Sequence, residues 1–578
     1  MNCNSPLFLG IDLGTGGVRV LAVRADGEVL ASHSVPFEMT TSNLPAGWHE
    51  QDARAWWDIT KQAIIGVVLQ LQSRGLPLDA IKALAVDGTS GTVVGIDETG
   101  EPVRPAMMYN DSRATEEAEQ LAALAAQEPA SPGGTIAASY AIAKVRWLAT
   151  HEAAAFHKVK CFVHQADFIV GRLTGEIAVT DYSNALKMGF DLVSGTWPAW
   201  LGGLPGICER LPRVVAPGSY IASLREEAAR ELGLPAKVQV IAGATDGTAG
   251  FLASGAKAIG DDNTTLGTTL VFKRLSDKPV IDPRGLIYCH KLPGGKSGGC
   301  GGVRDATARD ANGAKDAAGT QAGASADLSP SHPEDLWLPG AASNTGCQWM
   351  SAFKDDVKSL DARAAAHLPC NILAYPLARI GERFPFLAPQ ATGFIDPPTN
   401  DRDTDYAAKL QGVALLERLC YESLDAACLT PLPLREGPGE GRANNTQPST
   451  ASPDAQAESS QVNSAPFARP SPNPSLRGRG IKLNPVYATG GGSHSDVWMQ
   501  LRADATARVY HRPAAPESAF GAAILAAAGS HFSDLWTAIA SMVRIERTFQ
   551  PDTQRRAKYD ELFARFKALL RERGWHKA

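Results

Sequence analysis

A Gly/Thr turn that runs from one strand directly into another is the feature that most limits how this chain can fold. Residues 7–11 form a short apolar run bounded by Pro6 and ending in Asp12, which reads as a buried strand. Gly14, Gly16 and Gly17 then give a tight turn. Residues 18–23 and 29–35 flank Asp26-Gly27, a strong hairpin signal between apolar runs. The predicted order is strand, turn, strand, turn, strand. That order rules out a G-x-x-x-x-G-K-[ST] phosphate loop, which would enter a helix and whose pattern does not occur at this turn. The same grammar recurs roughly 250 residues later. There Asn263-Thr-Thr-Leu-Gly-Thr-Thr269 reads as a Gly/Thr turn leading into a strand at 270–274. Two such turns predict two related lobes facing one site.

Between and after these turns the pattern alternates. Helix is predicted over 53–74 and 111–127. A strand over 81–86 ends in Asp87-Gly-Thr-Ser-Gly-Thr92 and resumes at 93–96. A buried strand over 238–244 leads to Asp246, with a helix opening at 247–253 and Gly255 as its stop. A strand at 485–488 runs into Thr489-Gly-Gly-Gly492, and a helix follows from Ser493 or Ser495. Pro516-Glu517 opens an Ala-rich helix to 528, with Pro suited to a first turn, and an amphipathic helix over 554–573 closes the pattern. Two stretches break it. Residues 294–333 have hardly any large apolar side chain, and 435–479 are rich in Pro, Ser, Asn and Gln. Neither can bury enough apolar surface to offset ordering costs of about 1–2 kcal/mol per residue. Both read as disordered insertions in the second lobe; interaction tails for a partner are the functional alternative.

The rest of the 578-residue chain, 44% hydrophobic and 20% charged overall, can bury a sizeable core. A net charge of −5 argues against a nucleic-acid or acidic-membrane partner. Nine scattered cysteines with no C-x-x-C pair read as reduced thiols. No basic and apolar leader is visible, and the longest apolar run, 520–528, is too short to span a bilayer, so a cytoplasmic protein is expected.

The chemistry gathers at the turns. In Asp12-Leu-Gly-Thr-Gly16 the glycines let successive N–H groups point at one anion while Thr15 adds a donor. A carboxylate at that strand end would repel phosphate unless a cation lay between them, which makes Asp12 a candidate Mg²⁺ ligand. An ordinary turn with an Asx hydrogen bond is the plain alternative. Gly267 and Thr268 offer a second clamp, and Gly490–Gly492 would let backbone approach a flat ligand; all three sets remain readable as loop glycines. A dinucleotide fingerprint fails there, because Ser495 stands where a third Gly is needed. Asp246 at a strand end can accept a hydroxyl proton or simply cap the next helix.

Together these segments resemble the FGGY family of carbohydrate kinases. LGIDLGTGGVRV (9–20) resembles its first phosphate motif, and AVDGTSGTVVGID (85–97) and MMYNDSRA (107–114) its sugar-site segments. AGATDGTAG (242–250) resembles the catalytic-base motif, TTLGTTL (264–270) the second phosphate motif, and GERFPFLAPQATG (381–393) a signature loop. ATGGGSHSDVWMQLRADAT (488–506) and PESAFGAAILAA (516–527) resemble the adenosine motif. HQADFIVGRLTG (164–175), DYSNALKMGFD (181–191) and GAASNTG (340–346) are similar to the D-ribulose kinase-like group within it.

The resemblance implies an α/β, two-lobed actin/hexokinase-like (ribonuclease H-like) ATPase fold with a central cleft, divided into lobes 1–255 and 256–578. It implies a sugar kinase using ATP and Mg²⁺, with a ketopentose as partner. Thr89-Ser90 stands where xylulose kinases carry Met-His, which places D-ribulose ahead of D-xylulose. By position, Asp246 resembles the general base, and Asp12 the acid near Mg²⁺ and sugar. Gly14, Thr15 and Gly16 resemble the first phosphate contacts, and Gly267 and Thr268 the second. Gly491, Gly492 and Ser495 match the nucleotide contacts, Ser90 and Asp111 the sugar contacts, and Arg113 the same sugar-side loop. An actin-like ATPase without sugar chemistry and a sugar-binding protein with degraded catalysis are the rival readings.

Overall fold

The central strands are apolar on both faces because helices cover both sides of their sheet, the usual state of parallel strands. The structure is a computed structural model that describes residues 5–37, 43–127, 135–282, 284–294, 335–353, 357–429 and 483–576. The expected insertions lie outside these residues, apart from Gly294.

The first sheet is built from β1 (Leu7–Gly14), β2 (Gly17–Arg24), β3 (Val29–Pro36), β4 (Ile81–Gly88), β5 (Tyr220–Ser223) and β6 (Gln239–Ile241). Their spatial order is β5-β6-β4-β1-β2-β3, with β1, β4 and β6 parallel and β2 antiparallel to both its neighbours. The second contains β7 (Asp262–Leu266), β8 (Leu270–Arg274), β9 (Tyr288–Pro293), β10 (Asp335–Ser343), β11 (Val486–Thr489), β12 (Tyr510–Pro513) and β13 (Ile545–Phe549), ordered β9-β10-β8-β7-β11-β12-β13. There β7, β11 and β12 are parallel and β8 is antiparallel. The run β3-β2-β1-β4-β6 therefore repeats as β10-β8-β7-β11-β12, and each sheet's first two strands form a hairpin. This is the two-lobed α/β architecture the turns predict.

The helices follow local chemistry. Helix α1 (Ala53–Ser73) starts where Asp52 accepts the Arg54 N–H, and it buries Trp56, Ala63, Ile64, Val67 and Leu71 against the first sheet. Helix α2 (Asp246–Ser254) stops at Gly255, whose φ of 85° suits a residue without Cβ. The second lobe packs α3 (Arg402–Leu429), α4 (Asp496–Thr506) and α6 (Arg556–Glu572) into one core. Helix α5 (Ser518–Ser530) instead joins the lobes: it lies on β1 so closely that a Cβ at Gly10 would run into the Ala519 carbonyl.

Several boundaries differ from the sequence reading. Residues 111–114 are not helical, and the helix begins at Thr115, after a loop in which Arg113 bonds back to Asp111. Residues 263–266 belong to strand β7 rather than to the turn, because they pair with β8 and β11. The strand expected over 238–244 is ordered as strand only at Gln239–Ile241, with Thr245 rejoining Gly88 by an isolated bridge. The seven described cysteines are free. No helix among the described residues is long and apolar enough to cross a membrane.

Candidate active site

Three acids meet at the carboxyl ends of neighbouring parallel strands, where open α/β sheets bind ligands. Register decides this. Asp12 on β1 lies opposite Asp87 on β4, and Gly88 bridges to Thr245, which brings Asp246 alongside. Burial and the Asp246 charge push the Asp12 carboxyl up to about 6, although its hydrogen bond with Asp87 works the other way. Asp87 is wholly buried and neither oxygen meets a donor. Its neighbour Asp12 is an acceptor too, so one proton between them satisfies both. Burial first, and Asp12 second, push the Asp87 carboxyl well above its ordinary value, which assigns that proton to Asp87. Asp246 is raised by burial as well.

Asp246 is not the cap of its helix. Thr245 holds the extended N-cap backbone, while Asp246 is the first helical residue and its Oδ1 accepts the Gly247 N–H at 2.6 Å. The carboxylate stays partly open to the cleft. Beneath it, the Ser183 hydroxyl accepts the Thr245 N–H at 2.9 Å and is itself held by Asp181.

Each lobe's hairpin turn has exposed backbone. Gly14, Thr15, Gly16 and Gly17 close β1 onto β2, and Gly16 is exposed with open space around its Cα. Gln51 donates to the Thr15 carbonyl at 3.0 Å and the Phe37 N–H to that of Gly16 at 2.8 Å, so both carbonyls are engaged within the protein. In the second lobe Gly267 and Thr268 form the turn between β7 and β8, with Thr268 exposed. Gly346 packs on their carbonyls where no side chain would fit, and the Cys347 N–H bonds Gly267 O at 2.8 Å. Glu382 fastens that support by accepting from Ser343, Asn344, Thr345 and Tyr375. The segments 340–346 and 381–393 thus act together as the buttress of the second turn. Gly490 and Gly492 pack on Leu266, Gly491 faces open space, and Ser495 caps α4 by accepting the Trp498 N–H at 3.0 Å.

On the other side of the cleft, the Ser90 hydroxyl is buried without a partner, whereas Thr89 is tied to Gln165 at 2.7 Å and to Thr92 at 2.6 Å. Two lysines hold the loop by its carbonyls: Lys187 reaches Ser90 O at 3.2 Å and Lys144 reaches Gly91 O at 2.9 Å. Asp111, expected at the sugar, is already engaged. Its oxygens accept from the His49 N–H and from Arg113, which also pairs with Glu50 and stacks 3.7 Å from the Trp48 ring centroid. Burial opposes the effect, but the Arg113 and His49 donors hold the Asp111 carboxyl below its ordinary value. Asp111 and Arg113 brace the loop.

Among the described residues no group of three or more His, Cys, Asp or Glu side chains is arranged to hold a metal by itself. A hard dication that keeps its waters and takes one or two carboxylates plus phosphate oxygens still suits these all-oxygen acids. The sequence reading missed Asp87. Its signal was present, an acid at a strand end followed by Gly-Thr, as at Asp12.

Residues 7–253 match the N-terminal domain of the FGGY family of carbohydrate kinases, and residues 263–530 match its C-terminal domain. The chain is 28% identical over 291 residues to the xylulose kinase of Escherichia coli, a match covering 50% of this chain and 58% of that protein. The xylulose kinase of Staphylococcus epidermidis is 23% identical over 580 residues, covering 98% of this chain and 97% of the relative. Among solved structures, xylulose kinase from Rhodospirillum rubrum superposes with a TM-score of 0.72 at 24% identity, covering 98% of each chain.

Proposed function

The chain belongs to the FGGY family of carbohydrate kinases, and from that premise we propose that it transfers the γ-phosphoryl group of ATP to the terminal primary hydroxyl of a ketopentose, D-ribulose before D-xylulose. The observation that carries this reading is the meeting of Asp12, Asp87 and Asp246 at the carboxyl ends of neighbouring strands, with a buttressed hairpin turn in each lobe. Asp246 is the base: its carboxylate takes the proton of the sugar hydroxyl as that oxygen forms its bond to phosphorus and ADP departs. Gly14, Thr15 and Gly16 hold the triphosphate from one lobe and Gly267 and Thr268 from the other, with Gly491, Gly492 and Ser495 beside the adenosine. Asp12 would hold Mg²⁺, which when bound offsets the charge of the phosphates. Asp87 keeps its proton and steadies Asp12. The lobes divide at about residue 255, the sugar site and base in the first and the adenosine segment in the second.

Ser90, which resembles a sugar-contact position of the family, supports D-ribulose, because its buried hydroxyl has no protein partner. D-xylulose is the second reading, and the naming of its relatives as xylulose kinases favours it. ³¹P NMR of reactions with D-ribulose, D-xylulose, L-ribulose and glycerol decides between them. ATP consumption that ignores every sugar would favour an actin-like ATPase instead. Asp246→Asn is expected to lower kcat by at least about 10²-fold while nucleotide still binds. Near-normal turnover in that variant removes Asp246 as the base.

A further inference from the structure

The cleft holds more positive charge than the proposed chemistry uses. Lys273 leaves β8 on the face opposite Phe272, whose ring lies in the second lobe's core. It is 3% exposed and, among the described residues, its side chain makes no hydrogen bond or ion pair. A Cβ placed on Gly247 would sit 3.2 Å from its Nζ, so the ammonium abuts the first turn of α2 beside Asp246. Gly340 of β10 pairs with Lys273 on one side and Tyr288 on the other, and a Cβ placed on it would meet both side chains, while the Tyr288 and His290 rings meet edge to face at 5.4 Å. His290 is 4% exposed and its Nδ1 has no partner. Burial, with Lys273 and Lys187 nearby, keeps that ring neutral. From the first lobe comes Lys187, already on the Ser90 carbonyl, and Asp246 is the one acid acting on both lysines.

A buried ammonium without a partner is costly, and so is a buried ring nitrogen. The cost makes sense where an anion arrives during the working cycle. Transfer supplies one. When Asp246 takes the hydroxyl proton, Lys273 and Lys187 lose their negative neighbour at the moment a phosphate monoester forms next to it.

We infer that Lys273, with Lys187 and His290, forms an oxyanion subsite beside Asp246 that holds the phosphate of the phosphorylated sugar. The inference rests on the kinase reading above. The exchange is balanced: one carboxylate charge is neutralised by the proton from the hydroxyl, and the transferred phosphoryl group brings its own charge to the same cations.

Calorimetric titration of the full chain, without nucleotide, tests it with four probes: D-ribulose, D-ribulose 5-phosphate, D-gluconate and inorganic phosphate. The sugar phosphate is expected to bind at least about tenfold tighter than the free sugar. Lys273→Met should erase that advantage and leave free-sugar affinity within about twofold, and Lys273→Arg should restore part of it. A Lys273-dependent preference for D-gluconate keeps the subsite but makes its anion a carboxylate of the acceptor. If no anion gains from Lys273, the subsite is wrong. Should Lys273→Met fail to fold, equal wild-type affinities for sugar and sugar phosphate overturn it alone. Ketopentose turnover without any anion preference sinks the subsite and leaves the kinase. Lys273-dependent phosphate binding without sugar turnover does the reverse.

Discussion

Asp12 binds its proton more tightly in the folded chain than in the unfolded one, because burial and the Asp246 charge lift its carboxyl from 3.8 to about 6. The folded state therefore carries the extra proton between those values, and stability falls as pH rises through that window. At neutral pH an ionised Asp12 is a strain on the fold, which the proposed role beside Mg²⁺ would require. Two measurements check this. The kcat/KM profile should fall on the acid side of about pH 6, by roughly tenfold per pH unit. In Asp12→Asn, activity is lost but the melting temperature at pH 7 should exceed that of the wild type, with the gap narrowing toward pH 5 as wild-type Asp12 takes up its proton. At this scale the sequence exposed Asp12 and Asp246 through the motifs around them. It did not expose Asp87 as their partner, since that pairing depends on which residue of β4 lies opposite Asp12.

Among the elements, α5 and α4 are docked by opposite means. Helix α5 fits because it lacks bulk where it crosses β1 and α2: a Cβ at Gly521 would strike the Ala249 carbonyl, as one at Gly10 would strike Ala519. Gly521→Ala should destabilise the protein by about 1–3 kcal/mol in urea unfolding, because neither backbone can yield without shifting a packed element. Helix α4 is fixed to α3 by Arg502 and Glu417, a fully buried pair with bonds of 2.6 and 2.8 Å. Glu417→Ala leaves the guanidinium alone in the core, with an expected loss of about 3–5 kcal/mol, while Glu417→Leu with Arg502→Met should recover most of it. The Ala-rich pattern of 516–528 announced a helix plainly. That this helix would pack on the first lobe's sheet was invisible, because both lobes offer apolar faces of the same kind.

Across the whole molecule, the residues proposed to act at the site come from both lobes: Asp12, Asp246 and Lys187 from one, Gly267, Thr268 and Lys273 from the other, with α5 shared between them. An ATP analogue and the sugar together should draw the lobes closer than either alone. X-ray scattering would show this as a radius of gyration that falls fully only with both ligands, and an unchanged value would mean that the cleft is already in its working form. What the sequence determined by itself is local: strand–turn–strand order, the hairpins, the glycines that let backbone face an anion, and acids placed at strand ends. These follow from neighbours within a few residues, where φ/ψ preference and apolar period suffice. The tertiary structure alone decided the shared proton of Asp12 and Asp87, the engagement of Asp111 by Arg113, and the unpaired Lys273 facing Asp246. Each of those joins residues far apart in the chain, and the charge state or partner of a buried group is set by whatever strand register and lobe packing bring beside it.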